Sequence, residues 1–158
     1  MKKTTLVLTT LLLTACAVGT TTVQKLDVRN SQIYMDDYSA VWESTIDWLA
    51  SNNIPLDKMD KESGLISSRY ALAANNEYLN CGEPTGQIGF RKARFEGIYG
   101  NINIIVRDKE AGVKVTASVF GGADVVIRNG YGVIVSTTNV QCYTNGVLER
   151  DLLDSIGQ

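Results

Sequence analysis

"GIYGNINIIVRDKEAGVKVTASVF", residues 97–120, is the stretch that decides the fold. Apolar or small residues alternate with polar or mixed ones from Ile98 to Val106, and again from Val113 to Val119. A period of two is typical of a strand that buries one face and exposes the other. A polar turn, residues 108–112, separates the two runs. The sequence therefore predicts an antiparallel hairpin in this stretch.

A second hairpin is predicted directly downstream. Gly121-Gly122 is expected to end the preceding strand. Two apolar runs, 125–128 and 131–135, then flank Asn129-Gly130, a pair favoured in two-residue type I′ turns. The last strand is expected to continue towards Cys142.

A helix is predicted upstream, in "DDYSAVWESTIDWLASNNIP", residues 36–55. Asp36 or Asp37 is suited to cap its N-terminus, and Asn52-Asn53 followed by Pro55 ends it. One helical face collects the residues spaced three and four apart, which are Tyr38, Val41, Trp42, Thr45, Ile46 and Leu49.

The C-terminus predicts a second helix, capped by Thr144 or Asn145, with Leu148, Leu152 and Ile156 on one face. Two amphipathic helices can cover one face of an antiparallel sheet. The predicted fold class is therefore α+β. We expect an antiparallel sheet of about four to six strands, with both helices packed on one face.

The N-terminus has the form of a signal peptide. Lys2 and Lys3 precede an apolar run that is shorter than the ~20 residues of a spanning helix. The box Leu13–Cys16 resembles the lipobox of bacterial lipoproteins. The resemblance implies a diacylglyceryl group on Cys16 and cleavage just before it. The alternative is a secreted protein with an incidental cysteine.

The sequence predicts three segments: a signal peptide at 1–15, a lipidated N-terminus and flexible tether at 16–35, and one periplasmic domain at 36–158. A flexible tether of this length would span about 20–25 Å. Ala17 stands where an aspartate commonly retains diderm lipoproteins at the inner membrane. This resembles sorting to the outer membrane, with the lipid-anchored domain facing the periplasm.

Two cysteines remain after lipidation, Cys81 and Cys142. In an oxidising periplasm an even pair predicts one disulfide. A metal or redox pair is the alternative, but the C-x-x-C spacing typical of both is missing. Such a bridge would hold the irregular stretch 73–95, which is long for a loop in a compact domain.

The same stretch contains "FRKARF", residues 90–95. Two phenylalanines enclose three basic side chains, which makes the predicted partner-binding set Phe90, Arg91, Lys92, Arg94 and Phe95. Lipid headgroups, a polyanionic glycan or an acidic partner would fit it. The alternative is an exposed strand start with its charges pointing outward.

Composition limits the chemistry. The chain has no histidine and a net charge of −2. The missing histidine removes the commonest general base and most zinc sites. We find no phosphate-binding or nucleophile-elbow motif, and the net charge gives no bulk attraction to nucleic acid. We therefore predict no enzymatic activity, no cofactor, no metal site and no nucleic-acid partner.

Two stretches resemble a known family: "AVWESTIDWLASNNIPLDKMDKESGLISSRY", residues 40–70, and "CYTNGVLERDLLDSI", residues 142–156. The first resembles the opening of helix-grip domains in small outer-membrane lipoproteins, which include the lipoprotein C component of the outer-membrane β-barrel assembly machinery. The second resembles the C-terminal cap of related lipoproteins. That component carries two such domains, whereas this chain has one.

The resulting hypothesis is a non-catalytic adaptor or accessory subunit of an envelope assembly. Its partners would be the lipid bilayer, through acylated Cys16, and an envelope protein. A second hypothesis is a module that binds a lipid-like or other apolar ligand between helix and sheet. Its pocket would be lined by Trp42, Trp48, Tyr70 and Ile102. A hydrolase is the third, and it needs two carboxylates converging in a cleft.

Overall fold

A computed structural model describes residues 18–70 and 78–157 of the 158-residue chain, without the side chain of Tyr70. It is a mixed α/β fold in which strands hold 50% of the described residues and helices 17%. The helices are α1 (Tyr38–Ser51) and α2 (Val147–Ser155). The described strands are β1 (Gly19–Thr20), β2 (Ser31–Tyr34), β3 (Lys58–Asp60), β4 (Leu65–Tyr70), β5 (Leu79–Asn80), β6 (Pro84–Thr85), β7 (Gln87–Ile88), β8 (Arg91–Lys92), β9 (Arg94–Lys109), β10 (Gly112–Arg128) and β11 (Ile134–Thr144).

The predicted central hairpin is confirmed, and it is longer than predicted. β9 and β10 pair antiparallel from Lys109↔Gly112 to Arg94↔Val126. Within the described residues, seven antiparallel strands, more than the four to six predicted, form the main sheet in the order β3-β4-β9-β10-β11-β5, with β2 beside β10. Cross-strand pairs on its buried face are Val106↔Val115, Ile104↔Ala117 and Ile102↔Val119. These side chains form the floor of the main hydrophobic core.

The predicted break at Gly121-Gly122 is wrong, because β10 continues through both glycines to Arg128. A Cβ on Gly121 would stand 2.2 Å from the Tyr99 carbonyl oxygen, and one on Gly122 would stand 2.5 Å from the Tyr99 Oη. The two glycines therefore let Tyr99 of β9 lie directly against β10. Glycine inside a strand commonly marks such a close approach.

The second hairpin is confirmed, but its two-residue turn is wrong. Arg128 pairs with Ile134, so residues 129–133 form a longer loop. The Asn129 N–H donates to the Val133 carbonyl at 2.8 Å. The Asn129 Oδ1 accepts from the N–H groups of Tyr131 and Val133 at 2.9 and 3.0 Å. The asparagine side chain thus organises this loop instead of sitting in a type I′ turn.

Helix α1 begins and ends close to its predicted bounds. Asp37 is its N-cap, and its Oδ1 accepts from the Ala40 N–H at 3.0 Å. Helix α1 contacts β9, α2 contacts β10, and the two helices contact each other. The predicted cap of α2 is wrong, since the N-cap residue is Gly146. The Thr144 hydroxyl donates instead to the Glu149 carboxylate at 2.7 Å.

The predicted flexible tether is wrong for the described part of residues 16–35. Ser31–Tyr34 forms β2 and pairs with β10, so the predicted domain boundary at residue 36 lies too late. Tyr34 is buried, and its hydroxyl donates to the Leu153 carbonyl at 2.5 Å. Further upstream, the Thr21 N–H donates to the Glu83 carbonyl at 2.9 Å. The predicted signal peptide and Cys16 lie outside the described residues.

Candidate contact surface at the end of the sheet

Two hairpin tips lie side by side where β10 ends. β7 and β8 pair as Gln87↔Lys92 and Ile88↔Arg91, which places residues 89–90 at one tip. The loop 129–133 is the other tip. Strands β8 and β10 are in contact, and the Arg91 Nη2 lies 3.5 Å from where a Cβ on Gly130 would stand. We name as the terminal surface the exposed residues of both tips: Ile88, Phe90, Arg91, Lys92, Tyr131, Val133, Ile134 and Val135.

Hydrogen bonds hold both tips in shape. The Gln87 Nε2 donates to the Gly89 carbonyl at 2.5 Å. In the other tip, the Asn129 bonds are joined by the Arg128 Nη1, which donates to the Gly132 carbonyl at 2.6 Å. Phe90 and Tyr131 are nevertheless almost fully exposed, at 103% and 94%. The fold therefore presents two aromatic rings to solvent from hydrogen-bonded loops.

The predicted partner-binding residues divide into two groups. Phe90, Arg91 and Lys92 lie exposed in the terminal surface. Arg94 and Phe95 do not belong to it. The Arg94 guanidinium lies 3.0 Å from the Glu96 carboxylate, and Phe95 is partly buried against the hydrophobic clusters. Arg94 and Phe95 belong to the long strand β9, whose residues alternate between its two faces.

The Glu96 carboxylate forms ion pairs with two arginine side chains. The Arg128 Nη2 lies 2.6 Å from the Glu96 Oε2, and Arg94 contacts the Oε1. The hydrogen bond from Arg128, followed by that from Arg94, lowers the pKa of Glu96 to about 2. The same contact with Glu96 raises the pKa of Arg128. Within the described part of the chain, neither Arg91 nor Lys92 forms an ion pair.

The sequence analysis missed the apolar half of the terminal surface. Tyr131 and the run Val133–Val135 were predicted as strand residues and not as contact residues. The available signal was "YGVIV", an apolar run that follows directly on a turn pair. In the structure, its side chains lie at the end of the sheet and are exposed by 45% or more.

The N-terminal part of the described chain enters the domain at this same end. β1 pairs antiparallel with β6, as Gly19↔Thr85 and Thr20↔Pro84. Val18 packs against a small second hydrophobic cluster that lies next to the terminal surface. The buried members of that cluster are Ala93, Val125 and Ile127.

A disulfide joins Cys81 and Cys142, the pair that the cysteine count predicted. Both residues are completely buried, and their Cα atoms lie 4.2 Å apart. Cys81 follows β5 and Cys142 lies in β11, so the bridge fixes the start of the 79–92 segment to the edge of the sheet. This segment carries the β7–β8 tip.

Of the four residues predicted to line a ligand pocket between helix and sheet, two are buried, Trp48 is half-buried, and the side chain of Tyr70 lies outside the described part of the chain. Trp42 and Ile102 are 4% and 3% exposed and belong to the main core. A cavity of about 230 Å³ lies elsewhere, lined by α2, β10, β11 and residues 25–30. On its wall Glu149 is 1% exposed, and its carboxylate also accepts from the Val119 N–H at 3.3 Å.

Within residues 18–70 and 78–157, no three His, Cys, Asp or Glu side chains are grouped as possible metal ligands. In the same two ranges, no helix is both long and apolar enough to cross a membrane. No protein-family model, curated protein or solved structure matches the chain.

Proposed function

We propose that this chain is a lipid-anchored, periplasm-facing protein of the outer membrane. It acts without catalysis, as an adaptor or accessory subunit of an envelope assembly. The acyl group on Cys16 holds it at the bilayer. Through the terminal surface the domain makes its second envelope contact.

The observation that carries this proposal is the terminal surface itself. Two neighbouring, hydrogen-bonded tips expose aromatic and β-branched side chains that nothing in the described chain covers. Clustered apolar exposure of this kind is typical of interaction sites. Because Val18 lies beside it, the predicted anchor and the contact surface share one end of the domain.

The helix-grip-like arrangement belongs to the same proposal. Both helices would lie on the face of the sheet that carries the main core. In support, α1 contacts β9, α2 contacts β10, and the two helices contact each other. Such a scaffold would hold the terminal surface at the end of the sheet that the helices do not cover.

Native mass spectrometry on the full-length protein, gently extracted from its own membranes, tests the proposal. We expect a mass that includes acyl groups on the N-terminal peptide and at least one bound protein subunit. A chain without acylation refutes the anchor. An acylated chain that never carries a subunit, even after mild cross-linking in the membrane, refutes the adaptor.

A second candidate function is a periplasmic binding module for a lipid-like or other apolar ligand. The cavity beside Glu149 favours it, because apolar side chains such as Leu26 and Phe120 line it together with polar groups. A small molecule on the extracted protein, displaced in a Val119→Trp variant, would support this function. Extracted protein that carries no such mass would count against it.

A further inference from the structure

We infer that the terminal surface rests on an anionic lipid bilayer, so that the domain is docked at two points and does not hang from a tether. This inference rests on the proposed function, and it names the partner of that surface. Three observations support it: the point where the chain enters the domain, the side chains that the tips expose, and the charge of the tips.

Little chain is left for a tether. Val18 is packed against the second cluster, and Cys16 stands two residues before it in the sequence. Two residues span at most about 7 Å. A flexible tether over residues 16–35 would span about 20–25 Å. The structure shortens it, because Val18 already packs against the domain. An acyl chain on Cys16 therefore brings this end of the domain against the bilayer.

The two tips lie close to the point where the chain enters the domain. β1 runs antiparallel to β6, so the chain before Gly19 is on the side that leads from Thr85 towards β7. Val18 packs in the same cluster as Ile127, and Tyr131 is four positions after Ile127. Four positions span at most about 14 Å. The predicted anchor and both tips thus lie at the same end of the domain.

The terminal surface combines basic and aromatic side chains. Residues 86–92 and 129–135 contain Arg91 and Lys92 but no acidic residue. Basic side chains near an anionic surface are attracted to it, and aromatic rings are enriched at membrane interfaces. Phe90 and Tyr131 are the most exposed aromatic residues in the described chain. An acidic protein would suit the two cations, but it would not explain why they lie beside the entry point.

Docking in this way also fixes the orientation. β10 runs from Gly112 to Arg128, away from β2 and towards the terminal surface. Between Val113, which pairs with Tyr34, and Ile127 lie about 14 residues, or roughly 45 Å of strand. Met35 and the start of α1 therefore point into the periplasm.

Depth-dependent quenching on the acylated, full-length protein tests the inference. A single environment-sensitive fluorophore is attached in Phe90→Cys, Tyr131→Cys or Met35→Cys, with Cys16 acylated and the Cys81–Cys142 bridge intact. Met35 is the matched control, an exposed apolar side chain at the opposite end. The proteins are reconstituted into phosphatidylcholine vesicles with or without phosphatidylglycerol, carrying a quencher attached to the lipid.

We expect quenching at positions 90 and 131, none at 35, and stronger quenching with phosphatidylglycerol. Arg91→Glu with Lys92→Glu should weaken docking roughly fivefold or more per altered charge. The control pair Lys58→Glu with Lys109→Glu, both exposed, should leave it unchanged. Absent quenching at 90 and 131, or equal quenching at 35, would overturn the inference. Shielding of 90 and 131 in native membranes but not in vesicles would overturn it too, in favour of a protein partner.

Failure of the proposed anchor is read separately, from the mass of the N-terminal peptide. If Cys16 carries no acyl group but positions 90 and 131 are still quenched, the anchor is refuted and lipid docking stands. If Cys16 is acylated and the two positions are not quenched, the anchor stands and lipid docking is refuted.

Discussion

Replacing Cys81 and Cys142 together by alanine should lower the free energy of unfolding by about 4 kcal/mol. The two residues are 61 positions apart. Closing a loop of that size removes about 14 cal/mol/K of entropy from the unfolded chain, or ~4 kcal/mol near room temperature. Because domains of this size are stable by about 5–15 kcal/mol, the variant should keep only part of its stability.

Urea unfolding measures this directly. The fluorescence of Trp42, which is buried in the main core, reports the transition. An unfolded chain without the bridge is more expanded, so the denaturant slope m should increase as the midpoint falls. Ile104→Val is the matched control, because it reduces a completely buried side chain and leaves the bridge in place. It should cost about 0.5–1.5 kcal/mol at unchanged m.

A loss below about 1.5 kcal/mol with an unchanged m would refute the reasoning. The bridge would then act by local packing alone, and the unfolded chain would not gain the freedom that the loop length implies. A loss near 4 kcal/mol together with a larger m supports it. Loss of the bridge should also loosen the terminal surface, since Cys81 holds the start of the segment that carries Phe90.

Three further changes test other parts of the structure. Gly64→Ala should lower the melting temperature and cost at least about 1–2 kcal/mol, because Gly64 has φ +61° and a Cβ would stand 2.0 Å from the Val106 carbonyl oxygen. Tyr34→Phe should cost about 1 kcal/mol at neutral pH through its lost hydrogen bond to Leu153. Burial raises the pKa of Tyr34 from 10.0 to about 12, so the wild type should lose stability as the pH rises across that range. The difference in stability between wild type and variant should then narrow. Glu96→Gln tests a pKa shift of the opposite sign. The pKa of Glu96 is lowered from 4.5 to about 2, so the wild type should lose the stability that this carboxylate contributes as the pH falls between those values, and the variant should not. Melting curves against pH would show the difference.

Local patterns were sufficient for the elements with strong periodicity. The apolar stripe and the Asp37 cap defined α1, and strict alternation defined the centre of the β9–β10 hairpin. In both elements the sequence pattern and the buried face depend on residues close together in the chain. Such elements are the ones that pattern reasoning predicts best.

Elements that depend on distant residues were not predicted. Residues 31–34 are few and weakly apolar, and they become a strand because β10 offers them a free edge. Gly121 and Gly122 suggest a break by themselves, and their presence inside a strand is explained by close neighbours distant in sequence, among them Tyr99, more than 20 residues upstream. The predicted tether and the predicted strand end at Gly121-Gly122 were reasonable from the local sequence, but long-range contacts contradict both.

The candidate site shows the same limit. "FRKARF" suggested one continuous patch, but Phe95 is partly buried and the exposed Arg94 is paired with Glu96. "YGVIV" suggested a strand of the second hairpin, and its exposure was not predicted. Whether such a run is covered depends on which elements lie above it, and that is a property of the assembled fold. Since the helices contact β9 and β10 within a shared core while the tips stay exposed, the uncovered end of the sheet follows from how the elements pack and not from the run itself.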